Sequence, residues 1–271
     1  MSHAGGELAE QAGRLAARAE KVALCLDVDG TLSPIVLDPE AARPLEGMVE
    51  LLGRLAARFA AVALVSGRPA DFLAEHASAP GVRYLGLYGL QEIRDGQVRV
   101  DPRLEAGRPA VQAARQDLRD HPAVQVSGAW LEDKWYAVAV HTRRLADPDR
   151  WAGPIDRAAR DIATRHGLEV VPGKLVWELR PAVPSDMGDA VRKLVAESGA
   201  RSVVVAGDDL GDLAAFAAAA QLAAEGGDAL RVAVRSAEAP ERLLADANLV
   251  VDGPPGLRDF LERLTARPSS S

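Results

Sequence analysis

Short apolar runs, each followed at once by polar residues, dominate the hydrophobic pattern of the chain. Such runs, bounded by turn-forming residues, are typical of strands that are buried on both faces of a sheet. Apolar residues at helical spacing follow the first run, and the order strand, helix, strand predicts a parallel sheet. The same order returns near the C-terminus, so we expect both ends of the chain to share one sheet. The predicted strands lie at 23–26, 60–67, 201–209 and 230–236, and the predicted helices at 45–59 and 187–199.

The middle of the chain has a different pattern. Alternating apolar and polar residues predict strands at 129–141 and 174–181, around a helical stretch at 156–167. This pattern predicts a smaller α+β domain inserted into an α/β core, whose parallel, Rossmann-like sheet is flanked by helices. The predicted domains are a first part of the core at 1–102, which begins with a helix at 7–21, the insertion at 103–181, and the second part of the core with a disordered tail at 182–271.

Composition and charge exclude several classes of protein. The 271 residues carry a net charge of −7 and contain no run of lysine or arginine, which argues against nucleic acid as a partner. An anionic substrate would therefore need a metal ion or local cations. Cys25 is the single cysteine, so there is no disulfide framework, and the five scattered histidines form no zinc motif. We find no signal peptide and no long apolar run, and therefore expect a cytoplasmic monomer without membrane partners.

Two aspartates follow the first apolar run, in the stretch ALCLDVDGTLSPI. Asp27 and Asp29 are thus expected at the C-terminal end of a parallel strand, where open α/β sheets bind ligands. Two like charges this close repel unless a cation or a shared proton offsets them, and a divalent metal ion is the natural partner. An EF-hand calcium loop is excluded, because Leu32 and Asp38 would occupy its glycine and glutamate positions. For this motif alone, a solvated turn in which the carboxylates cap backbone amides is an open alternative.

Two further strand ends carry polar residues. Ser66 ends the second apolar run, where its hydroxyl and the following amides can hold phosphate oxygens. Asp208, Asp209 and Asp212 follow a later run. Taken singly, the serine turn is a weak signal, and the acidic turn has a helix N-cap as its alternative. Together, DxDGT, SG and GDDxxD at three strand ends form a specific set.

With these motifs the chain resembles the haloacid dehalogenase-like phosphatases and, more narrowly, the trehalose-6-phosphate phosphatases. The similarity extends over nearly the whole chain, from about residue 20 to 264. It implies a Mg²⁺-dependent phosphatase of phosphorylated sugars, with trehalose 6-phosphate as the leading substrate. The motifs that carry the resemblance are DVDGTLSPI at 27–35, SGRP at 66–69, EDKWYAVAVHTR at 132–143, WELRP at 177–181 and GDDLGD at 207–212.

The resemblance implies a role for each polar residue at the sheet edge. Asp27 would attack phosphorus and form an aspartyl-phosphate, while Asp29 would protonate the leaving sugar oxygen and later deprotonate the attacking water. Mg²⁺ would be held by the Asp27 side chain, the Asp29 carbonyl and Asp208, and would offset the negative charge of the phosphate. The other implied site residues are Asp209 and Asp212 around the metal, and Ser66, Gly67 and Arg68 against the phosphoryl group.

The resemblance also gives the insertion a function, as a cap that closes over the sugar. Glu132, Lys134 and Glu178 match cap positions that contact sugar hydroxyls through charge-assisted hydrogen bonds. An exposed strand turn with solvated charges is the alternative for the EDK run. Four neighbouring residues are interpreted as structural, His141 and Arg143 as supports of the fold and Trp130 and Trp135 as packing residues.

Departures from the family pattern bear on activity. Met187 stands where the family has a lysine before glycine, and a thioether cannot neutralise the nucleophile and the phosphate. A lysine at this position is expected to reach a polar, phosphate-binding pocket. Gly211 replaces the usual threonine of the acidic loop, and Gln91 replaces an acid in the turn GLYGLQE.

Three hypotheses about function are therefore kept. The first is a trehalose-6-phosphate phosphatase, and the second is a phosphatase of another disaccharide phosphate or of a pseudo-sugar phosphate. The third is a catalytically weak homologue that binds a sugar phosphate or a partner protein and regulates another enzyme. The presence of Asp27, Asp29, Ser66 and Asp208 favours the first two, because a binding protein has no need of both a nucleophile and its acid. Met187 favours the third.

Overall fold

The apolar runs from both ends of the chain form one eight-stranded sheet, as predicted. The computed structural model describes residues 3–36, 41–173, 175–237 and 239–265, with side chains from Glu10 onward. The polar tail that was predicted to be disordered lies outside these residues. In chain order, the strands are β1 (Val22–Asp27), β2 (Ala61–Val65), β3 (Val82–Gly86), β4 (Gln91–Arg94), β5 (Gln97–Val100), β6 (Trp130–Asp133), β7 (Val138–His141), β8 (Leu168–Gly173), β9 (Val176–Pro181), β10 (Ser202–Gly207), β11 (Asp228–Arg235) and β12 (Leu249–Asp252).

Helices pack against this sheet and against a second, smaller one. Among the described residues, no helix combines the length and the apolar character needed to cross a bilayer. In chain order, the helices are α1 (His3–Ala16), α2 (Met48–Ala56), α3 (Ala70–His76), α4 (Pro102–Asp120), α5 (Pro122–Ser127), α6 (Pro148–His166), α7 (Met187–Ser198), α8 (Leu213–Ala224), α9 (Glu241–Asp246) and α10 (Gly253–Thr265), with 3₁₀ turns at Ala19–Lys21, Leu87–Gly89 and Leu210–Asp212.

Strand β1 lies inside the parallel part of the large sheet, whose order is β12-β11-β10-β1-β2-β3-β4-β5. It pairs with β10 on one side and with β2 on the other, so that Leu26 lies opposite Ala206 and Leu64. Strand β4 then runs antiparallel to β3. This register brings the C-terminal ends of β10, β1 and β2 side by side, at the edge where open α/β sheets bind ligands.

A hydrophobic layer fills each face of the large sheet. Successive strand residues point to opposite faces, so Leu24 and Leu26 belong to one layer and Cys25 to the other. Phe260 of α10 is fully buried in the first layer, and Phe216 of α8 in the second. Cys25 is therefore a core residue, as predicted, and burial raises the pKa of its thiol.

The contacts divide the chain into two units. One comprises the residues up to Arg99 and those from Ser185 onward, and the other is Val100–Pro184. The second unit has an antiparallel sheet of order β6-β7-β9-β8, and its own core includes Val138 and Leu179 from the sheet and residues of α4 and α6. Both helices begin after an aspartate that accepts a backbone N–H and precedes a proline, which is a strong helix-start signal.

Most of the predicted elements are present, with narrower bounds. The predicted strand at 129–141 is the hairpin of β6 and β7, and the helical stretch at 156–167 lies inside α6. The predicted helix at 45–59 is shortened to α2, because Gly47 takes a left-handed conformation with φ 78° immediately before it. The predicted N-terminal helix breaks after Ala16 and continues only as a 3₁₀ turn. The elements that were not predicted are β3, β4, β5, β8, β12, α3, α4, α5, α8, α9 and α10.

Candidate active site

Three neighbouring strands deliver the predicted polar residues to one edge of the large sheet. Asp27 is the last residue of β1, Ser66 follows the last residue of β2, and Asp208 follows the last residue of β10. Because these strands are parallel neighbours in the order β10-β1-β2, their C-terminal ends emerge together. Ser66 and Asp208 are each only 5% exposed. The edge is therefore a partly enclosed, strongly acidic place.

Asp27, Asp208 and Asp212 form a cluster of carboxylates. Each offers one oxygen atom, and these atoms all lie within 4.8 Å of one another. The 3₁₀ turn Leu210–Asp212 carries Asp212 back into the cluster, where its Oδ2 accepts the backbone N–H of Asp208 at 2.9 Å and that of Asp209 at 3.0 Å. The sequence had placed Asp212 only in the surroundings of the metal.

Gly30 leaves room for the carboxylate cluster. Its backbone is left-handed, with φ +85°, and a Cβ at this position would lie 2.0 Å from Asp208 Oδ2. Such a contact is impossible without displacing the carboxylate. The glycine that follows Asp29 in the first motif is thus needed both for its conformation and for the close approach of Asp208.

Burial and mutual repulsion perturb the acids of the cluster. Burial, then the charge of Asp209, raises the pKa of Asp208 to about 6. Burial, with the charges of Asp209 and Asp208, raises the pKa of Asp212 to about 7. Burial and the charge of Asp212 raise the pKa of Asp27 well above its usual value. Two buried carboxylates and the half-buried Asp27 this close together are a set of oxygen ligands that could hold a divalent cation, which would remove the repulsion.

Asp29, unlike Asp27, is paired with an arginine. Its two carboxylate oxygens accept hydrogen bonds from Arg68 Nε at 2.6 Å and Nη2 at 2.8 Å, a bidentate ion pair. The guanidinium also lies over the ring of Phe72, 4.3 Å from its centroid.

Asp209 Oδ1 accepts the backbone N–H of Gly211 at 2.6 Å. The helix-cap alternative that the sequence left open therefore describes the contact that Asp209 makes.

The turn that contains Ser66 is fixed by backbone hydrogen bonds from Leu87 and Tyr88. The Leu87 N–H donates to the Arg68 carbonyl at 2.9 Å, and the Tyr88 N–H donates to the Ser66 carbonyl at 3.0 Å. Leu87 and Tyr88 both have left-handed backbones, with φ 50° and 56°. Sequence reasoning did not identify Tyr88 as part of this site, and its position inside the quoted turn GLYGLQE was the one available signal.

Met187 does not face a polar pocket, which corrects the sequence-based expectation. It is the first residue of α7, after the N-cap Asp186, and is 4% exposed. Its side chain belongs to the apolar layer that contains Cys25 and Val65. Side chains alternate between the two faces of the sheet up to the last residue of a strand. Val65, the last residue of β2, therefore still belongs to the apolar layer that contains Met187.

Nearby cations make other contacts. Lys193 Nζ lies 2.9 Å from Glu92 Oε2, and Arg192 Nη2 lies 2.9 Å from Asp189 Oδ1. Glu92 is buried and also binds Arg83. Although burial opposes the shift, hydrogen bonds from Lys193 and Arg83 hold the pKa of Glu92 below its usual value. Lys193 and Arg192 are therefore engaged in ion pairs of their own.

Gln91, the third departure from the family pattern, has a structural contact. Its Oε1 accepts the backbone N–H of Ala70 at 2.8 Å, at the first turn of α3. A neutral amide provides this acceptor as well as a carboxylate does, without burying a charge. The loss of the acid at this position therefore leaves the local contact satisfied.

The charged residues predicted for the cap lie together in the smaller unit. Lys134 Nζ is 2.8 Å from Glu178 Oε2 and 3.8 Å from Glu132 Oε2. Glu132 Oε2 is also 2.9 Å from His141 Nε2. The structure thus brings Glu132, Lys134 and Glu178 together across β6, the hairpin turn and β9, and it adds His141 to the group.

The packing role predicted for Trp130 and Trp135 is wrong. Trp130 is 44% exposed and Trp135 is 52% exposed, whereas Trp177 of the same unit is only 7% exposed. Both exposed rings are covered instead by arginines, with the Arg108 guanidinium 3.6 Å from the centroid of Trp135. The core of this unit is filled mainly by aliphatic side chains, so it does not need these two rings.

Known proteins resemble the chain over most of its length. The trehalose-phosphatase family model matches residues 25–247. A trehalose-phosphate phosphatase of Mycobacterium leprae is 33% identical over 263 residues, which cover 93% of this chain and 59% of that protein. The chain thus spans about three fifths of the length of this relative.

Solved structures resemble the fold. A trehalose-6-phosphate phosphatase related protein aligns with a TM-score of 0.71 and 25% identity, covering 90% of this chain and 96% of that one. A haloacid dehalogenase-like hydrolase from Bacteroides thetaiotaomicron aligns with a TM-score of 0.60 and 17% identity, covering 89% of this chain and 98% of that one. With a haloacid dehalogenase-like fold and a family match from the first strand to the last part of the core, the chain belongs to the trehalose-phosphatase family.

Proposed function

We propose that this chain is a Mg²⁺-dependent phosphatase of phosphorylated sugars and that trehalose 6-phosphate is its substrate. The observation that carries the proposal is the position of the Asp27, Asp208 and Asp212 carboxylates at one sheet edge, in a chain of the trehalose-phosphatase family. Asp29 and the turn at Ser66 lie at the same edge. A nucleophile, an acid and a phosphate-binding turn are the parts that phosphoryl transfer through an aspartyl-phosphate needs.

Two displacements at phosphorus account for the reaction. In the first, a carboxylate oxygen of Asp27 bonds to phosphorus, the bond from phosphorus to the sugar oxygen breaks, and Asp29 gives that oxygen a proton. In the second, water attacks phosphorus and its proton goes to Asp29. The bond between Asp27 and phosphorus breaks, which releases phosphate and restores the carboxylate. Ser66, the Gly67 amide and Arg68 bind the phosphoryl oxygens.

Arg68 holds the Asp29 carboxylate in place. Its Nε and Nη2 donate to the two carboxylate oxygens, which are the atoms that exchange a proton with the sugar oxygen and with water. In the first displacement Asp29 has to carry a proton, so this ion pair has to loosen. A phosphate dianion competes for the same guanidinium and thereby weakens the hold of Arg68 on Asp29.

The carboxylate cluster is the part of the site that fits Mg²⁺. Its oxygens are the ligands this cation prefers, and Asp27 and Asp208 would hold it together with the Asp29 carbonyl, while Asp212 would add its charge at the same place. When bound, Mg²⁺ offsets the negative charge of the phosphate and of the carboxylates around it.

Residues 103–181 act as the cap that selects the sugar. Glu132, Lys134 and Glu178 present both signs of charge within a few ångströms, and such groups bind the many hydroxyls of a disaccharide through charge-assisted hydrogen bonds. The exposed fractions of these side chains, between 22% and 31%, leave them accessible to a ligand. The sugar, rather than the phosphate, is therefore the part of the substrate that this group recognises.

Phosphate release with and without Mg²⁺, from a panel of phosphorylated mono- and disaccharides, tests the proposal. We expect trehalose 6-phosphate to have the highest kcat/KM and the activity to vanish with EDTA. A higher kcat/KM for another disaccharide phosphate would keep the chemistry and change the substrate. Tight binding of a sugar phosphate without release would support a regulatory homologue instead, the outcome that Met187 favours.

Glu132→Ala and Lys134→Ala are expected to reduce kcat/KM for the disaccharide phosphate while a small aryl phosphate is hydrolysed as before. Each loses a charged hydrogen bond, which costs about 1.5 to 3 kcal/mol, or roughly 10- to 150-fold. Arg165→Ala, which removes a cation that is 61% exposed on α6, is the matched control and should leave both substrates unaffected. Equal losses on both substrates would show that the charged group only supports the fold.

Met187→Lys is expected to raise kcat on the best substrate at least tenfold, because the long side chain can carry its ammonium out of the apolar layer to the phosphate, whose charge the thioether cannot stabilise. The free energy of unfolding should fall, since the ammonium next to an apolar layer loses part of its hydration. Steady-state kinetics and urea unfolding of both proteins measure these effects. Met187→Leu is the control, and it should keep the stability and bring no gain in kcat. An unchanged kcat in the lysine variant would mean that another group already does this work.

A further inference from the structure

We propose that the Tyr88 hydroxyl donates a hydrogen bond to a phosphoryl oxygen of the substrate at the Ser66–Gly67 turn. This inference rests on the proposed function, because it names an additional group for the same phosphate site. Three observations carry it: the position of the phenol, the strain in the backbone that holds it, and the apolar surroundings of Met187.

The phenol of Tyr88 lies directly against Gly67. A Cβ added at Gly67 would be 2.8 Å from Tyr88 Oη and 3.0 Å from Cζ, so the hydroxyl occupies the space that any larger residue in the turn would need. The Gly67 amide belongs to the turn that is proposed to bind phosphate. A ligand atom bound at that amide is therefore close to a hydroxyl that can act as a donor.

The backbone that positions the Tyr88 ring is strained. Tyr88 has φ 56° and ψ 38°, directly after Leu87 with φ 50°, and consecutive left-handed residues with side chains are strained. Hydrogen bonds hold Tyr88 on both sides. Its N–H donates to the Ser66 carbonyl at 3.0 Å, and its carbonyl accepts the Ser185 hydroxyl at 2.7 Å. Strain that is kept in place by such contacts is typical of functional positions.

Tyr88 also stands between the phosphate turn and the start of α7. Its ring packs against the same apolar layer as Met187, and Ser185, two residues before Met187, holds its carbonyl. Met187 offers no donor at this end of the layer. The phenol thus brings a neutral donor to a place where a cation is missing, and does so without burying a charge.

Tyr88→Phe tests this role, because it keeps the packing and removes only the hydroxyl. One preorganised donor contributes roughly 100-fold or more to kcat at such sites, and we expect kcat/KM to fall about 10- to 100-fold. The loss should be equal for a disaccharide phosphate and for p-nitrophenyl phosphate, since both carry the same phosphoryl group. Inorganic phosphate should also bind more weakly as a competitive inhibitor, by about tenfold.

Tyr84→Phe is the matched control. The Tyr84 hydroxyl is buried, accepts the Ala79 N–H at 2.7 Å and donates to the Ala77 carbonyl at 3.0 Å, so its loss should lower the melting temperature. It should leave kcat/KM within twofold. Equal loss of activity in both variants, or activity and phosphate affinity in Tyr88→Phe within twofold of the unaltered protein, would overturn the proposal.

A double-mutant cycle gives an independent check. Gly67→Ala should lower kcat/KM sharply, because the added methyl displaces the phenol, and it should cost several-fold less in a Tyr88→Phe background. Additive losses would argue against the contact. If the protein hydrolyses no sugar phosphate but does hydrolyse p-nitrophenyl phosphate, the substrate proposal fails while the role of Tyr88 is still measured. If it hydrolyses neither ester, calorimetric titration with inorganic phosphate in the presence of Mg²⁺ compares the same variants.

Discussion

Asp27→Asn abolishes phosphate release from every phosphate ester, with an expected loss of roughly 10⁴-fold or more, because an amide cannot attack phosphorus. The same substitution should preserve the fold or raise the free energy of unfolding of the metal-free protein. The reason is that burial and the charge of Asp212 already disfavour an ionised group at this position. Phosphate release in the presence of Mg²⁺ and urea unfolding in EDTA measure the two effects.

Asp29→Asn is the variant that separates the two carboxylates. It keeps the nucleophile but removes the group that deprotonates water, so a phosphorylated enzyme should accumulate with an ester that has a good leaving group, such as p-nitrophenyl phosphate. Asp27→Asn should form no phosphorylated enzyme. Trapping radiolabelled phosphate on the protein distinguishes the two variants. Turnover at the original rate in Asp27→Asn would exclude the aspartyl-phosphate mechanism.

In the metal-free protein, the free energy of unfolding is expected to fall as the pH rises from about 5 to about 8. Asp208 and Asp212 have native pKa values of about 6 and about 7, above the 3.8 of an unperturbed aspartate. In this interval the native state therefore binds more protons than the unfolded state, and stability decreases with pH. Each unit of pKa corresponds to about 1.4 kcal/mol, so Asp212 alone accounts for roughly 2 to 4 kcal/mol.

Asp212→Asn should flatten this pH dependence. The amide oxygen can still accept the N–H groups of Asp208 and Asp209, but there is no proton to release. Urea unfolding in EDTA at several pH values gives the two curves, and Asp252→Asn, whose side chain is 84% exposed, serves as the control. Parallel curves for Asp212→Asn and the unaltered protein would contradict the expected result. Added Mg²⁺ should stabilise the unaltered protein most at the upper end of the interval, where the carboxylates are ionised.

The parallel strands β1, β2, β10 and β11 could be predicted from the sequence because they are covered on both faces, whereas β3 and β12 were not predicted. Residues 22–26 of β1 are buried without exception, and such a strand is a continuous apolar run. Strand β5 shows the opposite case, with its first three residues exposed, so it leaves no comparable pattern. Helix α4 was missed for a related reason, because it contains Pro109 and is largely polar.

The chemistry of the site could be predicted only where residues stand directly at strand ends. Asp27 and Asp208 were assigned from position alone, since parallel strands bring their ends together. The place of Asp212 depends on a 3₁₀ turn that folds it back over the preceding amides, and a sequence pattern does not contain that geometry. The position of Tyr88 depends on two left-handed residues without glycine, which a sequence pattern gives no reason to expect.

The pairing of β1 with β10 has a consequence for synthesis on the ribosome. Strand β1 is made before the smaller unit, yet one of its two neighbours, β10, follows that unit in the chain. The smaller unit is continuous in sequence and can form its own sheet before that neighbour exists. Until β10 emerges, β1 has an unpaired edge of apolar residues, the kind of surface that joins with other nascent chains. We therefore expect chains that are truncated before Ser202 to aggregate.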